Sequence, residues 1–293
     1  MARLIISLIS SLILISFIGC KTTTEYNTNA VVNVEYKNNS HRTEKDHIYN
    51  QYTPNQPSNS VQAIDIKNEN KFALVIGNSQ YTTSPLANPT RDATDVARSL
   101  RNLGFNVIQK NNARLRDMES MMDRFYASLG KGSVGLFYYA GHGVQVDGKN
   151  YLVPVDATIN SSSDVKYECM DAGRILGKME DAGNSMNIVV LDACRNNPFA
   201  SSFRSASRGL ARMDAPAGSI IAYSTAPGKV ASDGSGRNGV YTKHFLQHLM
   251  TPGLNITDVF TKTRIDVVKE TGGKQIPWES SSLLGYFYFT EKE

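Results

Sequence analysis

Two short apolar runs in this chain break off abruptly into polar residues. The first is Val134-Gly-Leu-Phe-Tyr-Tyr-Ala140, which stops in Gly141-His142-Gly143. The second is Ile188-Val-Val-Leu191, which stops in Asp192-Ala193-Cys194-Arg195 and two asparagines. Continuous apolar runs of this length suit strands buried on both faces of a parallel sheet. Residues 72–76, 105–109 and 219–223 read as further strands, and residues 284–289 as a closing one. Asn88 followed by Pro89 is a helix start, and Ala93, Val96, Ala97, Leu100 and Leu103 then follow the 3.6-residue period until Gly104. Leu115, Met118, Met122, Phe125 and Leu129 mark a second helix; residues 171–181, 241–250 and 256–270 read as three more. Asp147-Gly148 predicts a hairpin pairing residues 144–146 with 151–154. Strands alternating with helices predict an α/β fold with a mostly parallel central sheet flanked by helices on both faces.

In open α/β sheets, ligands gather at the carboxyl ends of the strands. A thiol and a carboxylate, Cys194 and Asp192, stand at one such end, and His142 stands between two glycines at another. A lone cysteine there is commonly a small buried hydrophobe. Paired with a histidine it becomes a candidate nucleophile, because the reactive form is the thiolate and a base must take the proton. His142 precedes Cys194 by 52 residues (194 − 142). The caspase signature has this pair about 50 residues apart.

From about Lys71 to about Phe289 the chain resembles the caspase/metacaspase family of cysteine peptidases. Asp192-Ala-Cys-Arg195 is similar to the nucleophile motif, and Tyr223-Ser-Thr-Ala-Pro-Gly228 to the strand lining the substrate groove. Two departures stand out. The caspase glutamine two before the cysteine is Asp192, as in metacaspases, and the glycine two after it is Asn196.

The resemblance implies a caspase-like fold and a cysteine endopeptidase with a His142–Cys194 dyad, lacking an evident third residue to orient the histidine. It implies an oxyanion hole from the N–H groups of Gly143 and Cys194, and substrate pairing along Tyr223, Ser224 and Thr225. It also places Asp92 and Asp192 in the pocket for the residue before the scissile bond. Two carboxylates there favour arginine or lysine through charge-assisted hydrogen bonds. Without the resemblance, Asp92 would read as a first-turn helix acid and Asp192 as a solvated carboxylate.

The family is also cut in the linker between nucleophile and groove strands. Here that linker carries Arg204, Arg208 and Arg212 among small residues, which marks them as candidate self-cleavage sites. The competing readings are a caspase-fold scaffold with little turnover and a non-proteolytic thiol enzyme such as an acyltransferase.

Composition adds limits. With 31 Lys and Arg against 27 Asp and Glu, the net charge of +4 is too small and scattered to indicate a nucleic-acid partner. Residues 1–20 read as a targeting segment, with Arg3 before an apolar stretch that ends in Phe17-Ile-Gly-Cys20. That ending resembles a bacterial lipobox, so Cys20 is the expected lipidation site; a plain secretory signal is the alternative. Lys21 leaves no acidic retention signal, which points to the outer membrane, facing the periplasm, if the cell is Gram-negative. Residues 21–67 are polar enough to read as a tether before a domain spanning 68–290.

Neither a cofactor nor a metal is indicated. Calcium activates some metacaspases, but no Asp-rich calcium loop is legible. His244 and His248 are spaced four apart on a predicted helix and read as a solvated face, and Cys169 reads as structural. Gly234-Ser-Gly-Arg-Asn-Gly239 spells a dinucleotide-binding pattern without the strand that should precede it. The oligomeric state is not legible.

Overall fold

The computed structural model describes residues 64–65, 70–194, 209–226 and 236–291. The elements run β1 (Ile64–Asp65), β2 (Asn70–Gly77), α1 (Pro89–Asn102), β3 (Asn106–Asn111), α2 (Leu115–Ser128) and β4 (Ser133–Val146). They continue with β5 (Lys149–Leu152), α3 (Val165–Glu168), β6 (Met170–Asp171), α4 (Ala172–Asp181) and β7 (Met186–Cys194). The last are β8 (Ser219–Tyr223), α5 (Val240–Leu249), α6 (Ile256–Glu270), β9 (Trp278–Ser281) and β10 (Gly285–Tyr286).

The main sheet has the order β3-β2-β4-β7-β8-β9 and is parallel except for β9. Its pleat sends alternate residues into two cores. One core joins Val75, Tyr138, Val190 and Ala222 to α1, α5 and α6. The other joins Phe137, Val189, Leu191 and Ile221 to α2 and α4. The β4 and β7 runs are buried on both faces because each lies mid-sheet between two strands and two helical layers.

Gly77 lets the end of β2 meet the start of α1. A Cβ there would stand 2.3 Å from the Pro89 carbonyl oxygen and 2.6 Å from the Ala93 Cβ. That close approach brings the first turn of α1, with Asp92, beside the strand ends.

Two elements differ from expectation. The closing strand of the main sheet is β9, antiparallel to β8, and not residues 284–289. Within 284–289, Gly285 and Tyr286 pair with Ile64 and Asp65, and Tyr288 forms an isolated bridge with Asn255. Phe287 and Phe289 are core anchors instead, their rings packed edge-on or tilted against Phe105. β9 lacks an apolar run and takes its strand form from pairing with β8. The second difference is that β4 does not stop before His142: it runs on to Val146 and pairs with β5 as the expected hairpin.

Candidate active site

The sheet register brings the two candidate catalytic residues together. β4 and β7 are adjacent and parallel, and His142 is the direct partner of Cys194, as Ala140 is of Asp192. Neighbouring strands lie about 4.8 Å apart, so the two backbones are one strand spacing apart. For Cys194 the structure describes the backbone alone.

His142 is buried, only 1% exposed, where a histidine between glycines at a strand end reads as exposed. The difference comes from the loop between β2 and α1, which folds over it. Tyr81 of that loop packs its ring against the imidazole at 4.5 Å between centroids. The Tyr81 hydroxyl accepts from the His142 backbone N–H at 3.0 Å. Tyr139 donates to the His142 carbonyl at 2.8 Å. Gly141 must be glycine, because a Cβ would meet the Tyr81 and Tyr139 hydroxyls at 2.6 and 2.7 Å.

The orienting group absent from the sequence reading is also in this loop. His142 Nε2 lies 2.7 Å from the Ser84 carbonyl oxygen. A carbonyl only accepts, so Nε2 carries the proton and Nδ1 is left as the nitrogen able to act as a base. Ser84 holds φ at 59°, a left-handed conformation that costs a non-glycine residue energy and recurs at functional sites. A backbone carbonyl carries no side-chain signature, which is why spacing and residue type could not reveal it.

Asp92 and Asp192 also converge, from α1 and β7. Both face Gly239 at the start of α5: a Cβ there would lie 3.3 Å from Asp92 Oδ2 and 3.7 Å from Asp192 Oδ2. Asp92 accepts from the Gly239 N–H at 3.0 Å, and Asp192 from the Thr242 hydroxyl at 2.6 Å. Asp92 is buried, and the desolvation of its carboxylate, with the nearby Asp192 charge, pushes its pKa up to about 7. A helix macrodipole alone would have lowered it; here burial and the like charge win.

Asp95, one turn along α1, ties down the segment before Gly239. Arg237 reaches it with two nitrogens at 2.8 and 3.0 Å and Asn238 with its amide at 3.0 Å. Arg91 donates to the Arg237 carbonyl at 2.8 Å. Sequence reading missed Asp95, Arg237 and Thr242. The only available signal was the position of Asp95 three residues after Asp92, on the same helix face.

The other expected site residues fare differently. Tyr223 has no free strand edge: it pairs with Leu191 on one side and Trp278 on the other, and its hydroxyl accepts from the Met213 N–H. Ser224 donates its N–H to the Leu191 carbonyl and accepts from Gln275 on its own. Thr225 is wholly buried. The unforeseen strand β9 thus occupies the edge along which substrate pairing was expected at Tyr223, and Gln275 engages Ser224 beyond it.

Gly143 stands between Leu210 and Ala193, with Leu210 Cδ2 2.9 Å from where a Cβ would be. Its lack of a side chain therefore serves packing on that face.

Arg212 is exposed and paired with Asp214 at 3.4 Å, but its neighbours are held. The Asn150 amide bonds both the N–H and the carbonyl of Ala211, at 2.6 and 2.7 Å. Cys20, Arg204 and Arg208 lie outside the described residues.

His244 and His248 are not a solvated face. Each is largely buried against α6, His244 Nε2 on Glu270 at 2.6 Å and His248 Nε2 on Asp266 at 2.7 Å. The antiparallel packing of α5 on α6 supplies these carboxylates, which are distant in sequence. Cys169 is buried, and burial pushes its thiol well above the ordinary range, consistent with a structural role.

Comparison with known proteins adds the family. The family model for the caspase domain matches residues 70–288. Mucosa-associated lymphoid tissue lymphoma translocation protein 1 of Homo sapiens is 32% identical over 234 residues, covering 78% of this chain and 28% of that protein. Its homolog in Mus musculus is 31% identical over 233 residues, covering 78% of this chain and 27% of the homolog. The chain thus spans little more than a quarter of the length of these relatives. The aligned region contains the β4–β7 pair and both carboxylates, and with the family match it shows that this chain belongs to the caspase family.

Proposed function

We propose that this protein is a cysteine endopeptidase that cuts after arginine or lysine, with Cys194 as nucleophile and His142 as its acid–base partner. The observation that carries the reading is the register: His142 faces Cys194 while two carboxylates converge beside them at Gly239. Nδ1 of His142 takes the thiol proton, and the thiolate attacks the carbonyl carbon of the scissile bond. The resulting oxyanion needs donors fixed in advance, a role we assign to the N–H groups of Gly143 and Cys194. His142 then gives its proton to the leaving amine, which leaves an acyl-enzyme thioester. Water attacks that thioester with His142 again as base, releasing the acid and restoring the thiol. The Ser84 carbonyl keeps the proton on Nε2 throughout and so replaces the side chain that orients histidine in a triad.

The carboxylates select the substrate. Entry of a guanidinium or ammonium between Asp92 and Asp192 offsets the burial and the like charge that raise the Asp92 pKa to about 7. Purified protein and its Cys194→Ala variant should be compared on a peptide library that varies the residue before the scissile bond. Cleavage after Arg and Lys by the wild type alone supports the proposal. Cleavage after Asp, or none after any residue, would overturn it in favour of a different pocket or a scaffold.

The leader supports a further part of the reading: export and anchoring through a lipid on Cys20, facing the periplasm if the cell is Gram-negative. Mass spectrometry of the membrane-extracted N-terminus tests this, and an unmodified mature terminus would end it.

A further inference from the structure

Thr242 is fully buried on the first turn of α5, and its one hydroxyl serves two neighbours. Oγ1 lies 2.6 Å from Asp192 Oδ2 and 2.6 Å from the Tyr138 hydroxyl. An ionised carboxylate only accepts, so Thr242 donates to Asp192. With that proton committed, Thr242 accepts from Tyr138, whose phenol stays protonated because burial pushes its pKa well up. The chain therefore runs one way, from Tyr138 on β4 through Thr242 to Asp192 on β7. It starts four residues before His142 and ends two before Cys194.

The partner carboxylate is treated differently. Asp92 Oδ1 takes the Gly239 N–H, while Oδ2 points into the space shared with Asp192 Oδ2. Two carboxylates this close, one of them buried, do not ionise together readily.

We infer that Thr242 is a positioning residue that fixes the negative charge on Asp192 and leaves Asp92 as the group that releases a proton when a cationic side chain enters. The inference rests on the pocket assignment above. Burial and the Asp192 charge already hold Asp92 near neutrality, at about 7. Among the described residues, the other charged or titratable groups around the pair include Arg91 and Asp95 on α1, Arg237 before α5, Tyr241 on α5 and Tyr138 on β4. Arg91 lowers the Asp92 pKa and Asn238 lowers it by hydrogen bonding, but neither reverses the shift.

Proton release can be counted directly. A peptide ending in arginine is bound to Cys194→Ala full-length protein in calorimetry, using buffers of different ionisation enthalpy between pH 5.5 and 8.5. Release of about one proton per peptide is expected below pH 7, fading above it as Asp92 is already ionised. Asp92→Asn should abolish the release. Thr242→Val removes the donor to Asp192, so the pair should hold its proton more tightly and the midpoint should rise by about one pH unit. Thr242→Ser should restore the wild-type midpoint, and Tyr138→Phe should move it in the same direction as Val by less. Because a merely structural role for Thr242 would not move a proton count in folded protein, each variant is first checked by thermal melting. If Thr242→Val does not fold, Tyr138→Phe decides. An unchanged midpoint in the folded variants overturns the Thr242 inference while leaving the pocket intact. A peptide ending in citrulline that binds as well as the arginine peptide overturns the pocket, and this inference with it.

Discussion

The two halves of the candidate site are built in opposite ways. His142 and Cys194 meet through a sheet register: two adjacent strands and one residue pair. Asp92 and Asp192 meet through α1, β7 and the turn into α5, fastened by bonds between residues 147 apart for Asp92 and Gly239 and 50 apart for Asp192 and Thr242. Moving a register pair means slipping a central strand, which would turn its whole apolar set to the wrong face. An assembled pocket has many separate fastenings, each removable. In the proposed reading, chemistry sits on the register half and selectivity on the assembled half.

The first way to test this contrast is to break the register half chemically. Cys194→Ala and His142→Ala should each lower kcat/KM by about a thousandfold or more, since members of such a unit fail together. Melting temperatures should stay near wild type for Cys194→Ala. Activity within tenfold of wild type in either variant would remove the dyad.

Next, the pocket can be filled without touching a charge. Gly239 holds φ at −57° and ψ at 151°, which alanine tolerates. The new methyl would stand between the carboxylates, where the cation is proposed to lie. Gly239→Ala should raise KM for arginine peptides about thirtyfold and leave kcat within a few-fold, the loss expected for one charged contact. Asp92→Asn should act in a pH-dependent way. With the Asp92 pKa at about 7, the wild type carries the carboxylate above that pH and loses it below. The penalty of the Asn variant should therefore be small near pH 6 and grow as pH rises through 7 to 8.

The same contrast explains what the sequence disclosed. Runs such as Ile188–Leu191 and Leu136–Ala140 are legible because a strand with a layer on each face needs every position apolar. Helix α1 is legible because Pro89 and a 3.6-residue period mark it. The proposed His142–Cys194 pair is legible because each residue follows an apolar run and the two lie 52 positions apart. Ser84 acts through a carbonyl that any residue possesses. Trp278–Ser281 becomes a strand by pairing, with no pattern of its own, and so the burial of Tyr223 could not be foreseen. Asp95 and Arg237 are ordinary surface residue types until the fold puts them together.

That last pair is the place to loosen the assembled half without entering it. The Arg237 fork on Asp95 holds the turn that presents Gly239 to Asp92. Its exposed guanidinium limits what it contributes, since surface ion pairs are worth about 0–1 kcal/mol. Asp95→Asn should raise KM for arginine peptides by up to about fivefold with kcat unchanged. Arg237→Lys should fall between wild type and Arg237→Met. A drop in kcat with constant KM would mean that the clamp serves the dyad, and the division between halves would fail.

The smallest expected effect concerns self-cleavage, and here the prediction is for no cut at one site. Arg212 is exposed and carries the side chain that the proposed pocket would select, so residue type alone recommends it. A peptidase, however, binds its substrate as an extended strand through main-chain N–H and carbonyl groups. At Arg212 those groups are already engaged: Asn150 holds both of Ala211, and Tyr223 takes the N–H of Met213. Leu210, just before them, is buried against Gly143. Cutting there would first require this stretch to leave the core. N-terminal sequencing of fragments from active wild-type protein should therefore show no chain beginning at Met213, whatever happens at Arg204 and Arg208. Asn150→Ala removes the clasp on Ala211, and fragments beginning at Met213 should then appear, absent again when Cys194→Ala is added. A Met213 terminus in the wild type would show that the clasp does not protect the bond. Its absence in active Asn150→Ala would show that packing of Leu210, and not the Asn150 clasp, shields the segment.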